Sequence, residues 1–426
     1  MCLKIVVKIC AAILICGFAA AAQSPDIIVN RVTDNPKFKD GQAFVEKDHD
    51  RINRENIQLT EIEAPPFKEE KRARAYMEML RQHGLSDVEM DAEGNVMGLR
   101  KGTGTGPLIA IAAHLDTVFP EGTNVKVKQT GTRLAAPGIG DDTRGLAVLL
   151  GIIRALDAAQ IQTRSDILFV GDVGEEGRGD LRGMKYLFLK GPYKDRIRMF
   201  ISMDGIGDGS AITNGAVGSK RYRVTFKGPG GHSYGAFGIV SPAFALGNAI
   251  TKFSKMQVPA EPKTTFSVGV VGGGTSVNSI PFESWMEVDM RSESPEELAK
   301  EAETFTGYLH EAVDEENNAR STSQGKIELD VKMIGDRPSG STSVGSTIVQ
   351  TASAVIRAFG LKPSYTMGST DSNVPISLHI PAITIDAGGS GGRNHALDEW
   401  VDVEKTASVR GIQIAMGILL ALAGIQ

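Results

Sequence analysis

Four apolar runs of strand length, each ending in polar or charged residues, constrain this chain most. They are PLIAIAAHLD from Pro107, SDILFVGDV from Ser165, RIRMFISMDG from Arg196 and PAITIDAGG from Pro381. A strand that is apolar at nearly every position has no face left for water. Both faces must be covered, which is the situation of a parallel sheet with helices above and below. Helical stretches fall between and around the runs. RGLAVLLGIIRALDAAQ, from Arg144, reads as a buried helix. FKEEKRARAYMEMLRQHG, from Phe67, reads as a surface helix with Pro66 in its first turn and Gly84 as its stop. DVEMDAEGNVMGLRKG has the pattern of a hairpin. The predicted fold class is α/β, a mostly parallel sheet sandwiched by helices.

The middle of the chain has another rhythm. SKRYRVTFKGPGG, TTFSVGVVGGG, SWMEVDMRS and GKIELDVKMIG alternate apolar and polar positions, as half-buried strands do. One helix is predicted after Ser241-Pro242 and a charged one over SPEELAKEAETFTGYLHEAVDEEN. The order β-α-β-β-α-β predicts a small open sheet with helices on one face. This α+β unit is set at 216–330, inserted into a first domain made of 23–215 and 331–426.

The first 22 residues, MCLKIVVKICAAILICGFAAAA, have the two lysines, apolar run and small-residue end of a cleavable export signal. All three cysteines fall in this segment, so an exported mature chain would be free of disulfides and of thiolate chemistry. The expected location is the periplasm or the exterior. Without the signal lysines, 44 Lys and Arg face 51 Asp and Glu, and no basic block is interleaved with aromatics. A nucleic-acid partner is not expected. The C-terminal run GIQIAMGILLALAGIQ, 16 residues, is short for a membrane span and is expected to be a buried helix. No membrane association is expected after signal cleavage.

Ligand sites in open α/β sheets lie beyond the carboxyl ends of the strands. The apolar runs deliver His114 and Asp116, then Glu175 and Glu176, then Asp204; the loop PGIGDDTRG adds Asp141 and Asp142 ahead of a helix. Histidine with several carboxylates and no sulfur suits Zn²⁺, and also Mn²⁺ or Co²⁺. In His114-x-Asp116 the spacing of two puts both side chains on one side of an extended chain, so Asp116 can orient the imidazole. A carboxylate such as Asp141 can bridge two ions. Glu175 and Glu176 are neighbours on an extended segment and point to opposite sides, which allows them different tasks. Each element has a plainer reading alone: Asp141-Asp142 as a helix cap, GEEG as a solvated loop, Asp204 as a turn residue. Their shared placement at strand ends favours a site.

HLDTVFP, PGIGDDTRG, GEEG, MDG, GPGGHS and the late GGRNH, in this order, resemble the two-zinc hydrolases that include peptidase T, bacterial glutamate carboxypeptidases and aminoacylases. The resemblance covers nearly the whole mature chain, and Gly-Gly-His-Ser sets it apart from aminopeptidases that lack the inserted domain. It implies that His114 binds one zinc and His395 the other, that Asp141 bridges them, and that Glu176 and Asp204 each complete one metal's shell. It makes Glu175 the general base and Asp116 the group that orients His114. A cis peptide is expected after Asp141. His232 would reach across a homodimer, formed through the inserted domain, to the scissile carbonyl oxygen. Asn278 would contact substrate, and Arg337 or Arg291 would grip a substrate carboxylate. The implied activity is a two-zinc exopeptidase acting on small peptides. An N-acyl amino acid amidohydrolase with the same mechanism is the alternative. A non-catalytic binding protein would require a broken motif, and every ligand of the motif is present.

Overall fold

The structure is a computed structural model that describes residues 24–426; the expected export segment, residues 1–22, lies outside the described residues. The four apolar runs become the four central strands of a nine-stranded sheet. Ile167–Asp172, Leu108–His114, Ile197–Met203 and Ala382–Ile385 lie side by side and run parallel. The hairpin of Ser86–Met90 and Val96–Arg100 extends one edge antiparallel. Ala211–Ala216 extends the other, antiparallel to Ala382–Ile385, and carries Gly340–Ser341 and Ser364–Gly368.

Alternation along the central strands divides the core into two layers. Ile109, Ile111, Ala113, Phe169 and Ile201 point to one side, where the helices Pro36–Thr60, Thr143–Ala158, Thr347–Ala358 and Lys405–Ala423 cover them. Ala110, Ala112, Leu168, Val170 and Phe200 point to the other, beneath the helix Arg182–Leu189. That double coverage is why the runs are apolar at most positions before their ends. Lys405–Ala423 is, among the described residues, the one helix long and apolar enough to cross a membrane; 72 % of its most apolar window is buried within the fold.

The inserted unit is a four-stranded antiparallel sheet, Gly218–Lys227, Thr264–Gly273, Glu283–Ser292 and Glu328–Arg337, with Glu283–Ser292 and Gly218–Lys227 in its centre. Helices Pro242–Phe253 and Pro295–Ala319 cover one face through Val224, Phe226, Met286, Val288, Phe253 and Phe305. The last strand continues to Arg337, past the boundary expected at 330, because its pairing with the strand from Gly218 continues to Ser219.

The helix expected from Pro66 begins instead at Glu70 and ends at Arg81, before Gly84. Lys68 N–H closes a turn onto the Pro65 carbonyl, Phe67 takes a left-handed φ of 68°, and the Glu69 carboxylate accepts the Phe67 amide. Those bonds satisfy the chain in a non-helical path up to Glu69.

Candidate metal centre

The strand ends and the loop before the Thr143–Ala158 helix converge on one cavity of about 440 Å³. Asp141, Glu175, Glu176, Asp204, Arg221, Arg291, Arg337, Ser369 and His395 are among its lining residues. Asp142 does what an N-cap residue does, accepting the Gly145 amide at 3.2 Å, and its other oxygen accepts the His114 amide at 3.0 Å. Asp141 is left free to face the cavity, and the Asp141–Asp142 peptide is cis.

Asp141 is the hub. One carboxylate oxygen lies 2.9 Å from His114 Nε2 and the other 3.2 Å from His395 Nε2. His395 Nε2 also lies 3.0 Å from Glu176 Oε1. Ligand atoms of His114, Asp141 and Glu176 all fall within 4.8 Å of one another. Asp204 lines the same cavity from the end of its strand.

The charges are unbalanced in a revealing way. Burial, reinforced by the Asp141 carboxylate, pushes Asp204 up to about 7. Hydrogen bonds to Asp141 and Glu176 push His395 up to about 10. Burial alone would lower His114, yet Asp116 and Asp141 hold it well above the usual imidazole range. Burial would raise Asp141, but the two imidazoles hold it well below the usual carboxylate range. The donor set thus calls for positive charge, and protons on the imidazoles and Asp204 are the substitutes at hand. Two divalent cations fit that demand, and oxygen and nitrogen donors without sulfur fit zinc, manganese or cobalt.

The two glutamates do face apart. Glu176 meets His395, while Glu175 Oε1 accepts Arg337 Nη1 at 2.9 Å. Burial pushes Glu175 up to about 8, against the pull of Arg337 and with the repulsion of Glu176. Asp116 acts more widely than its spacing suggested. Its backbone carbonyl, 3.0 Å away, is the partner of His114 Nδ1, and its carboxylate accepts the amides of Glu175 and Glu176 at 3.0 and 2.9 Å. One aspartate therefore ties the His114 strand to the GEEG loop.

Arg337 is turned inward. Nη1 also donates to Ser369 Oγ at 3.1 Å, and Nη2 donates to the Glu175 carbonyl. Arg291 lines the cavity and pairs with Asp289 at 2.7 Å. His232 and Asn278 do not line it within one chain. His232 is exposed, its Nδ1 accepts the amides of Tyr234 and Gly235, and the carbonyl of Asn278 accepts the neighbouring Ser233 amide at 3.0 Å.

Sequence reasoning missed Glu399. Its carboxylate is 1 % exposed and accepts three amides of the PGIGDD loop: Gly138 at 3.0 Å, Gly140 at 2.8 Å and Asp141 at 2.9 Å. The one available signal was its place four residues after His395, in a segment otherwise free of pattern. It also missed Asp172 and Asp371, wholly buried carboxyls; burial pushes Asp172 up to about 6 and Asp371 well above its usual range.

Fold and site together define a metal-dependent hydrolase. Residues 110–421 match the sequence profile of Peptidase family M20/M25/M40, and the chain belongs to that family. The uncharacterized protein YqjE of Bacillus subtilis (strain 168) is 25 % identical over 353 residues, 79 % of this chain and 87 % of that protein. The same fold recurs in aminopeptidase PepT from Bacillus cereus, with a TM-score of 0.70 at 22 % identity over 88 % of this chain and 99 % of that one. It recurs in Bacillus subtilis YXEP, described as a dinuclear metal binding peptidase from the M20 family, with a TM-score of 0.63 at 20 % identity over 89 % and 99 % of the two chains.

Proposed function

We propose that this metallopeptidase is an exported exopeptidase that hydrolyses small peptides at a pair of zinc ions. The observation that carries the reading is Asp141, whose two carboxylate oxygens each meet a different imidazole. His114 would serve one metal and His395 the other, with Asp141 shared and Glu176 and Asp204 completing the shells. When bound, the metal pair supplies Lewis acidity that polarises the amide carbonyl and makes a bound water more acidic.

The protein groups do the proton work. Glu175 stands in the cavity, where burial raises its carboxyl above the usual carboxylate range and so makes its carboxylate a stronger base than an exposed one. Its Oε2 is free of protein partners among the described residues and can accept the water's proton, then return it to the nitrogen of the leaving amine. Asp116 holds the Glu175 and Glu176 amides, so base and ligand keep one spacing. His232 would stabilise the oxyanion of a neighbouring subunit's substrate. The exposed Tyr234, Phe237, Val277 and Phe282 around His232 support a homodimer through the inserted domain. The N-terminal segment supports periplasmic or secreted location.

The same groups would serve N-acyl amino acids, whose scissile amide and free carboxylate are those of a C-terminal residue. A panel of di- and tripeptides against N-acyl amino acids, run with zinc-loaded enzyme, ranks the two substrate classes. Glu175→Gln should keep its zinc and lose turnover about 10²–10⁴-fold. Near wild-type turnover with both metals bound would remove Glu175 from the mechanism.

A further inference from the structure

A second cavity, of about 460 Å³, lies where the inserted unit joins the first domain. The inserted unit contributes Lys220, Leu298 and Asp336 to its lining, and the first domain contributes Ile376 and the exposed His379. Arg337 lines this cavity and the cavity of the metal centre alike, so its side chain is part of the partition between them. Its charge is met on the metal side, where Nη1 lies 2.9 Å from Glu175 Oε1.

The end of the inserted sheet builds this partition. Asp336 and Arg337 are successive residues of one strand, so their side chains leave it on opposite faces. Asp336 stands directly across from Lys220 on the neighbouring strand, and Lys220 Nζ lies 2.9 Å from Asp336 Oδ1. The other Asp336 oxygen and the remaining hydrogens of the Lys220 ammonium have no protein partner among the described residues. Apart from His379, the charges left to the cavity are therefore one cation and one anion, side by side. Leu298 and Ile376, both buried, give it apolar walls from the two domains. The same strand end also reaches the catalytic loop. The Asp336 amide donates to Asp180 Oδ1 at 2.9 Å, and Arg337 Nη2 donates to the Glu175 carbonyl.

We propose that this cavity is a second ligand site, which takes a free apolar α-amino acid and slows turnover when filled. The ligand's ammonium meets the open oxygen of Asp336, its carboxylate meets the Lys220 ammonium, and its side chain lies against Leu298 and Ile376. The two charges of an α-amino acid sit about as close together as Lys220 and Asp336 do, so the four groups alternate in sign. An occupant that touches both domains and Asp336 holds the strand end in one position, and with it the loop of Glu175. Glu175 has to serve the attacking water and then the leaving nitrogen, so a fixed loop slows it. An exopeptidase releases free amino acids, which makes the site a sensor of its own product; that part rests on the metallopeptidase reading.

The test is calorimetry of L-leucine against the zinc-loaded full chain, with a ketomethylene dipeptide analogue saturating the metal centre. One equivalent of L-leucine should still bind. L-leucinamide and 4-methylpentanoate, which each lack one of its charges, should bind about tenfold more weakly or worse. Lys220→Met should weaken L-leucine by a similar factor at unchanged zinc content. Ala299→Trp should block the cavity from its exposed side. With a dipeptide substrate, L-leucine should lower kcat severalfold and leave KM in place. No binding once the metal centre is occupied, binding unchanged in both variants, or a raised KM at constant kcat would overturn the site. Equal binding of L-leucine and its two analogues would overturn the recognition of both charges. Failure of the metallopeptidase reading has a different signature: dipeptides are not hydrolysed while L-leucine binding stands.

Discussion

Glu399→Gln is the sharpest perturbation of this site that replaces no proposed ligand. The wild-type carboxylate accepts two amides on Oε1, from Gly140 and Asp141, and one on Oε2, from Gly138. A glutamine can keep its oxygen on the first pair, and its NH₂ then faces the Gly138 N–H, donor against donor. The opposite flip loses two amides. Leaving one buried donor without an acceptor costs about 1–3 kcal/mol. The loop that relaxes is the one that presents Asp141 to both imidazoles. Zinc affinity should therefore fall about tenfold to a hundredfold, as is usual when a group supporting a ligand is lost. The assay pairs zinc titration against a chromophoric chelator with urea unfolding of the metal-free protein. Loss of stability in the metal-free form with zinc affinity within about twofold of wild type would refute the reasoning, because Glu399 would then support the fold alone.

Other perturbations follow from the same structure. Glu301 lies on the buried face of the helix Pro295–Ala319, neither of its oxygens has a hydrogen-bond partner, and burial pushes it up to about 8. The folded state therefore favours the neutral form, so its contribution is full below about pH 4.5 and is lost as pH rises toward about 8. Glu301→Gln should flatten that decline and raise Tm at pH 8; an unchanged Tm-versus-pH curve would mean that the carboxyl finds a partner. Chelator dialysis should abolish peptide hydrolysis and lower Tm, with zinc restoring both by mass action; full activity in metal-free protein would end the two-metal reading. His232→Ala should lower kcat with zinc content unchanged, and light scattering should report a dimer; a fully active His232→Ala variant would exclude a contribution across the subunits.

The residues differ in how openly they declare themselves. His114, Asp141, Glu175, Glu176, Asp204 and His395 were legible because each ends an apolar run or sits in a glycine-rich loop, where an isolated polar group stands out. The helix Pro36–Thr60 was not read, although Phe38, Val45, Ile52 and Leu59 recur every seven residues. Its buried Asn56 and Thr60 hide that stripe, and they are there to bond Thr143 at 2.9 and 2.6 Å. The strands Ala211–Ala216 and Ser364–Gly368 were missed because short strands with glycine and threonine carry little periodicity.

What the sequence determined by itself is local. Continuous apolar runs demanded a doubly covered parallel sheet, and alternating ones demanded a half-covered antiparallel sheet. Polar groups at the run ends marked where the site had to be. Partnership was decided only by the tertiary structure. Glu399 reaches Gly138 from 261 positions away, Arg337 reaches Glu175 from 162, and Arg221 meets Asp289 through the register of two strands. A carboxylate or guanidinium looks the same in a sequence whether it faces water, a ligand or a backbone amide. Folding decides among these, because a buried charge is tolerated only where partners from distant segments arrive to meet it.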